Sequence, residues 1–159
     1  MSQSTGMVAA IALRTSEGGP MREVGEVAAS VDGGLAGDVE SRPDRGITLI
    51  DRQQWSDVTR ELNAPDLPWH TRRANVLVDG VRMAGLIGQT IRIGQVEVRV
   101  NAETKPCGMM DDLHPGLRAA LKPDCRGGVY GRIVRGGVIS VGDRVSLIAL
   151  ASHASRRVQ

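Results

Sequence analysis

The segment from Thr90 to Val100 constrains the fold most strongly, because its side chains alternate between apolar and polar on both sides of Gly94. Successive side chains of a β-strand point to opposite faces of a sheet, so this alternation predicts a hairpin with one apolar face. That face has to be buried against other elements. Arg92 and Arg99 lie on the opposite face and are expected to point to solvent. The apolar positions are Ile91, Ile93, Val96, Val98 and Val100.

The composition indicates how that apolar face is covered. The 159 residues contain 18 valines and 9 isoleucines against 12 leucines, together with 20 glycines, which favours short strands joined by tight turns. The aromatic residues are two tryptophans and one tyrosine, so the core must be aliphatic. We expect a mainly β fold in which mostly antiparallel strands close into a single β-barrel, with two or more short covering helices. This length suits one domain, which we place at residues 1–152, followed by a disordered tail at 153–159.

Two segments have helical spacing. Asp51 followed three residues later by Gln54 is typical of a helix start, and the apolar spacing from Trp55 onward predicts a helix that ends near Asn63. A second helix is predicted at residues 115–121, where leucines recur at four-residue spacing after a proline suited to a first turn. Both helices are expected to lie outside the barrel.

Charge and motif content argue against several function classes. The formal net charge is +2 and 18 of the 20 basic residues are arginines, which we interpret mainly as a solvated surface. With three aromatic residues the chain has no stacking platform for nucleic acid, and its apolar runs are far shorter than the roughly 20 residues of a membrane span. We find no G-x-S-x-G motif, no phosphate-binding loop and no paired metal motif. Two cysteines without a secretory segment indicate a cytoplasmic protein with reduced thiols.

Cys107 is the strongest candidate for a reactive residue. It follows Lys105 and precedes Gly108 at the end of the predicted hairpin strand, and a cation with free backbone amides beside a thiol stabilises the thiolate. A thiolate there can attack an electrophile, carry a sulfane sulfur as a persulfide, or bind a soft metal. An ordinary, partly buried thiol fits the same residues. Cys125 also has a cation and glycines beside it, but it lies on a connector that holds geometry less well than a strand end.

A series of short motifs, each weak alone but specific in its order, resembles the MOSC domain. This family is named from the C-terminal domain of molybdenum-cofactor sulfurase and is also found alone in small bacterial proteins. The resemblance extends from about residue 19 to residue 148. The ordered motifs include Gly34-Leu-Ala-Gly-Asp38, Arg72-Arg-Ala-Asn-Val76, Pro106-Cys107, Arg126-Gly-Gly-Val-Tyr130 and the segment from Gly136 to Val145.

The resemblance implies a barrel with Cys107 in a cleft, where the thiol receives or presents sulfur or ligates the molybdenum of a bound pterin cofactor. Longer relatives use this cofactor to reduce N-hydroxylated bases and amidoximes. The residues that match the family's motifs as polar and anion-binding groups are Arg73, Asn75, Arg126, Gly127 and Gly128. Lys105, the cation beside the thiol, is a further cofactor-binding candidate. Physical chemistry agrees with these roles, because guanidinium groups and free backbone amides hold anions. We therefore expect Arg73 and Arg126 to approach Cys107.

The chain also departs from the family's pattern. The polar stretch 37–46, which we expect to be an ordered loop or a flexible lid, lacks the basic and histidine-containing run of the hydroxylaminopurine-resistance relatives. The sequence has no counterpart of the sulfurase's pyridoxal-phosphate desulfurase domain, so pyridoxal phosphate is an association of the family only. The protein would need a sulfur donor or an electron-transfer partner protein. The alternative is a non-catalytic module that binds an anionic small molecule or a partner protein.

Overall fold

A computed structural model describes residues 5–148 of the chain. The tail expected at 153–159 lies outside these residues. The described part contains eleven strands, which are β1 (Thr5–Arg14), β2 (Met21–Val24), β3 (Glu26–Ser30), β4 (Gly34–Leu35), β5 (Ile47–Asp51), β6 (Val76–Asp79), β7 (Thr90–Ile93), β8 (Val96–Glu103), β9 (Val129–Arg135), β10 (Gly137–Ser140) and β11 (Arg144–Leu147).

Seven of these strands close into a barrel, which confirms the mainly β barrel expected from the sequence. Around the barrel the order is β1, β11, β7, β8, β9, β5 and β6, and β6 pairs again with β1. Neighbours are antiparallel except β5 and β6, which run parallel. Strand β2 adds to the outer edge of β1, while β10, β3 and β4 form a separate three-stranded sheet.

The predicted hairpin is the pair β7 and β8. Gly94 at its turn has a φ of 60°, a left-handed conformation that glycine adopts without strain. All five apolar positions of the hairpin are fully buried in the cluster that fills the barrel. Arg92 and Arg99 are exposed, as predicted. Closing the sheet into a barrel buries the apolar face of the hairpin, which an open, flat sheet would leave partly exposed to solvent.

Three helices lie outside the barrel: α1 (Arg52–Glu61), α2 (Gly108–Leu113) and α3 (Leu117–Leu121). The start of α1 is as predicted, because the Asp51 carboxylate accepts a hydrogen bond of 3.1 Å from the Gln54 amide. Helix α3 confirms the second predicted helix, and short 3-10 turns occur at Trp69–Arg72, Met83–Leu86 and Pro123–Cys125. Helix α2 was not predicted, since its single buried side chain, Met110, gives no periodic signal.

The helices pack on the outer face of β5 and β6 through a second apolar cluster. Its buried members are Ile50, Trp55, Val58, Ala74, Leu77, Met110, Leu117 and Leu121. No helix among residues 5–148 is long and apolar enough to cross a membrane.

Candidate functional site

A cleft of about 310 Å³ opens on the outer face of the barrel wall, beside the helices. Its position follows from strand alternation: Thr48 lies between Ile47 and Leu49, which point into the barrel, so the Thr48 side chain points outward into the cleft. Five cationic side chains and two carboxylates line the cleft. The polar and sulfur-containing lining side chains are Arg14, Glu17, Glu40, Arg45, Thr48, Arg72, Arg73, Thr104, Lys105, Cys107, Met109 and Met110.

The floor of the cleft is a closed network of buried polar groups centred on Asn75. The Asn75 side-chain amide donates to Asp38 at 2.7 Å and to the Ala12 carbonyl at 3.1 Å. Its oxygen accepts from the backbone and the hydroxyl of Thr48, each at 3.1 Å. Arg14 donates to both Asp38 oxygens through Nε. Asn75 is therefore placed beneath the cleft and does not line it, because it is completely buried and its donors and acceptors are used within the protein.

Asp38 shows how this network is balanced electrostatically. Burial by itself would raise the pKa of the Asp38 carboxyl, but hydrogen bonds from Arg14 and the charge of its guanidinium outweigh burial and hold the pKa below its usual value. The carboxylate also accepts from the Glu40 amide at 2.9 Å. These contacts tie the stretch 37–46 to β1, so this part of the stretch is an ordered loop.

Arg73 and Glu40 form one wall of the cleft. Arg73 follows the 3-10 turn at Trp69–Arg72 in a left-handed conformation, with a φ of 67°. Its guanidinium pairs with Glu40 at 2.5 Å and donates to the Gly19 carbonyl. The structure thus brings Arg73 and Cys107 to the same cleft, with the Arg73 charge already paired.

Arg72 is the site residue that the sequence analysis missed. It is 6% exposed, donates from Nε to the Gly127 carbonyl at 2.8 Å, and donates from Nη2 to the Thr104 carbonyl at 2.9 Å. Burial lowers the pKa of Arg72 to about 10, so the group is still cationic at neutral pH. The signal for it was the pair of adjacent arginines in the 72–76 motif, but local sequence does not say which of the two turns inward.

Cys107 lies where β8 passes into α2. The residue is exposed, its backbone is extended, and its carbonyl accepts from the Met110 amide at 3.0 Å. Lys105 lines the cleft beside it, as expected, and is exposed. Arg72 lines the same cleft, where its Nη1 contacts the Met110 sulfur at 3.6 Å. A thiol, an ammonium group and a buried guanidinium therefore share one wall of the cleft.

The turn at 126–128 differs from the expectation of an anion-facing turn. Arg126 is directed away from the cleft, since its guanidinium binds both carboxylate oxygens of Glu61 on α1, at 2.9 and 2.8 Å. The three backbone amides donate to carbonyls within the protein, at 3.0, 3.0 and 2.8 Å. These amides are therefore not free to bind an anion.

The two glycines of this turn are needed for close packing. Gly127 lines the cleft, and a Cβ there would lie 2.9 Å from the Thr104 carbonyl oxygen and 3.4 Å from Arg72 Nη2. Gly128 has a φ of 97° and packs against β5, where a Cβ would lie 2.2 Å from the Leu49 carbonyl oxygen. Gly127 thus leaves room for Arg72, and Gly128 lies away from the cleft lining.

Cys125 differs from Cys107 in its surroundings. It is half-buried against the barrel's apolar cluster and has a φ of 56°. Burial, followed by the charges of Glu103 and Asp124, raises the pKa of the Cys125 thiol. Cys125 does not line the cleft.

The family model of the MOSC domain matches residues 36–146, which is more than half of the chain and includes Cys107, Asn75 and Arg72. The chain belongs to the MOSC domain family. No curated protein sequence matches it.

Solved structures of several bacterial proteins resemble more than nine-tenths of the chain. The YuaD protein from Bacillus subtilis superposes with a TM-score of 0.79 at 16% identity, covering 92% of this chain and 97% of that one. YiiM from Escherichia coli has a TM-score of 0.70 at 19% identity, covering 94% of this chain and 70% of YiiM. YiiM from Geobacillus stearothermophilus has a TM-score of 0.72 at 19% identity, covering 91% and 75%. At these identities the likeness shows that the chain shares its fold with these proteins.

Proposed function

We propose that this MOSC-domain protein binds the molybdenum cofactor in the cleft, with Cys107 as the protein's ligand to molybdenum. The observation that carries the proposal is an accessible thiol in a cleft whose cationic side chains outnumber its carboxylates five to two. The cleft volume of about 310 Å³ is in the range of small-molecule sites. A phosphorylated pterin is an anion, and guanidinium and ammonium groups are suited to hold it.

The residues present fit such a group. Among residues 5–148 no three or more His, Cys, Asp or Glu side chains cluster as a metal site, so the protein offers a single soft thiolate rather than a closed set of ligands. A thiolate suits a metal whose other ligands come from the cofactor itself. Lys105, Arg45 and Arg72 are the side chains best placed to balance the cofactor's negative charge. The other two cations, Arg14 and Arg73, are paired with Asp38 and Glu40.

When bound, the cofactor would supply the two-electron chemistry that reduces N-hydroxylated compounds. The chain's own residues then have simpler tasks. Cys107 would hold the metal, the floor network would support the cleft wall, and Met109 and Met110 supply part of the apolar lining. An electron-transfer partner protein would supply the electrons. We place this protein in the cytoplasm, which its two free cysteines support.

The second candidate function is sulfur transfer, in which Cys107 carries a sulfane sulfur as a persulfide. The exposure of Cys107 favours it, because a persulfide must be reached by both a donor and an acceptor.

The test is to purify the protein from a host that makes the molybdenum cofactor, and to measure metal content and pterin fluorescence. We expect molybdenum and pterin in equal amounts in the wild-type protein and in Cys125→Ser, the matched control. Cys107→Ser should lose the molybdenum. Equal loading of the two serine variants would contradict the ligand assignment and would favour a module that merely binds an anionic small molecule.

A further inference from the structure

The guanidinium of Arg72 is buried without a carboxylate partner. No Asp or Glu among residues 5–148 forms an ion pair with it, whereas the equally buried Arg14 pairs with Asp38. Nε and Nη2 donate to carbonyl oxygens, but Nη1 has only the Met110 sulfur, at 3.6 Å. Buried cations are normally paired with an anion, so the Arg72 guanidinium has an uncompensated charge and an N–H group that can still donate to an acceptor.

A second group at the same place is also unsatisfied. Thr104 lines the cleft and is 7% exposed, and its hydroxyl oxygen is buried with no hydrogen-bond partner. The Thr104 carbonyl accepts from Arg72, so the free hydroxyl and the free guanidinium nitrogen belong to neighbouring residues. A buried hydroxyl without a partner costs free energy, which a bound acceptor would recover.

We propose that Arg72 and Thr104 form an oxyanion subsite beside Cys107, and that a sulfur oxyanion of the thiosulfate type binds there as a sulfane-sulfur donor to the thiol. This inference names a sulfur donor for the sulfur-transfer function proposed above. It rests on that proposed function in one respect, which is that Cys107 is the reacting residue.

The location of the subsite decides the class of ligand. Thr104 precedes Cys107 by three residues, and Met110, which contacts Arg72, is hydrogen-bonded to the Cys107 carbonyl. The oxyanion donors are thus next to the thiol, so the ligand has to be small and to carry its reacting atom directly on the oxyanion group. Thiosulfate meets this requirement, since its outer sulfur is bonded to the sulfonate that the donors would hold.

The transfer is balanced without a further reactant. The Cys107 thiolate attacks the outer sulfur, a new bond forms between that sulfur and Sγ, and the sulfur–sulfur bond of thiosulfate breaks. The bonding electron pair leaves with sulfite, and Cys107 is left as a persulfide anion. The guanidinium of Arg72 and the hydroxyl of Thr104 would hold the departing sulfite oxygens, where negative charge increases during the step.

The test compares Thr104→Val with Thr59→Val. Valine has the shape of threonine without the hydroxyl, and Thr59 is a matched control because it is equally buried on α1 and donates to the Ser56 carbonyl, away from the cleft. Each protein is incubated with thiosulfate, the gain of one sulfur atom at Cys107 is followed by peptide mass, and released sulfite is measured.

We expect Thr104→Val to keep or raise the melting temperature, because it removes an unpartnered buried hydroxyl. It should form the persulfide about tenfold or more slowly, since one hydrogen bond to a charged group is lost. Thr59→Val should react at the wild-type rate. Arg72→Lys retains the charge without the planar fork and should also react slowly.

Two results would overturn the proposal. A Thr104→Val protein that reacts as fast as the wild type would show that the hydroxyl does not hold the donor. A wild-type protein that binds inorganic sulfate or phosphate but is not modified by thiosulfate would show that the ligand is not a sulfur donor. Failure of molybdenum loading with normal persulfide formation would refute the cofactor proposal and leave this one standing.

Discussion

The floor of the cleft and its Arg72 corner are both polar and buried, yet they satisfy their charges differently. In the floor, Arg14 is paired with Asp38, and Asn75 uses both its amide and its oxygen within the protein. In the corner, Arg72 and Thr104 face the cleft with donors to spare. The floor network stabilises the fold because the chain itself supplies every hydrogen-bond partner. The groups of the Arg72 corner gain their missing partners only when a ligand binds.

The largest effect should come from breaking the floor. Asp38→Asn leaves the buried Arg14 guanidinium without its carboxylate, and we expect the free energy of unfolding to fall by about 3 kcal/mol. Chemical denaturation measures this loss. Asp66→Asn, which changes an exposed aspartate, is the control and should leave stability unchanged. Equal stability of the two variants would mean that the floor is not what holds the cleft wall.

The pH dependence sharpens the same prediction. The folded state lowers the pKa of Asp38, since the contacts from Arg14 outweigh burial, so the carboxylate stabilises the folded protein. This contribution is fully present above the unfolded pKa near 4 and is lost as the pH falls through the lower folded pKa. The stability gap between the wild type and Asp38→Asn should therefore narrow at acidic pH. A gap that stays constant from pH 7 to pH 2 would contradict the pKa direction.

The two thiols provide an intermediate test. Cys107 is exposed on the cleft wall, whereas burial raises the pKa of Cys125 and limits access to it. A slow alkylating reagent at neutral pH should label Cys107 several-fold faster than Cys125, as read by peptide mass. Faster labelling of Cys125 would remove the basis for assigning Cys107 as the reactive residue.

The smallest effect is expected at Arg126. Its ion pair with Glu61 is partly exposed, with the Glu61 side chain 48% accessible, so Arg126→Gln should lower the melting temperature only modestly and leave ligand binding intact. Arg73→Gln is the matched comparison, because Arg73 lines the cleft. We expect Arg73→Gln to weaken molybdenum loading, because it leaves the Glu40 carboxylate in the cleft without its closest cationic partner, whereas Arg126→Gln should not. Weaker molybdenum loading in Arg126→Gln than in Arg73→Gln would show that Arg126 belongs to the site.

Features decided by near neighbours in the sequence could be predicted. The hairpin about Gly94 follows from a strict two-residue alternation, and the start of α1 follows from Asp51 capping the Gln54 amide three residues later. Helix α2 could not be predicted, because it lasts less than two turns and buries one side chain. The ordered motifs of the family predict Cys107 and Arg73 at the cleft, and Lys105 follows from its place two residues before the thiol. All three residues line the cleft.

By itself, then, the sequence determined the aliphatic barrel, the helix at α1 and the segment that carries the thiol, because periodicity and capping act over a few residues. The tertiary structure alone decided the direction of each arginine. Arg72 points inward because the carbonyls of Thr104 and Gly127, which are distant in sequence, accept its hydrogen bonds there. Arg126 points away from the cleft because its guanidinium pairs with Glu61 on α1. Asn75 became part of the floor for the same reason, since β1, the Asp38 loop and β5 all contribute partners to it. Long-range hydrogen bonds and ion pairs form only once the barrel has closed, and no local pattern specifies them.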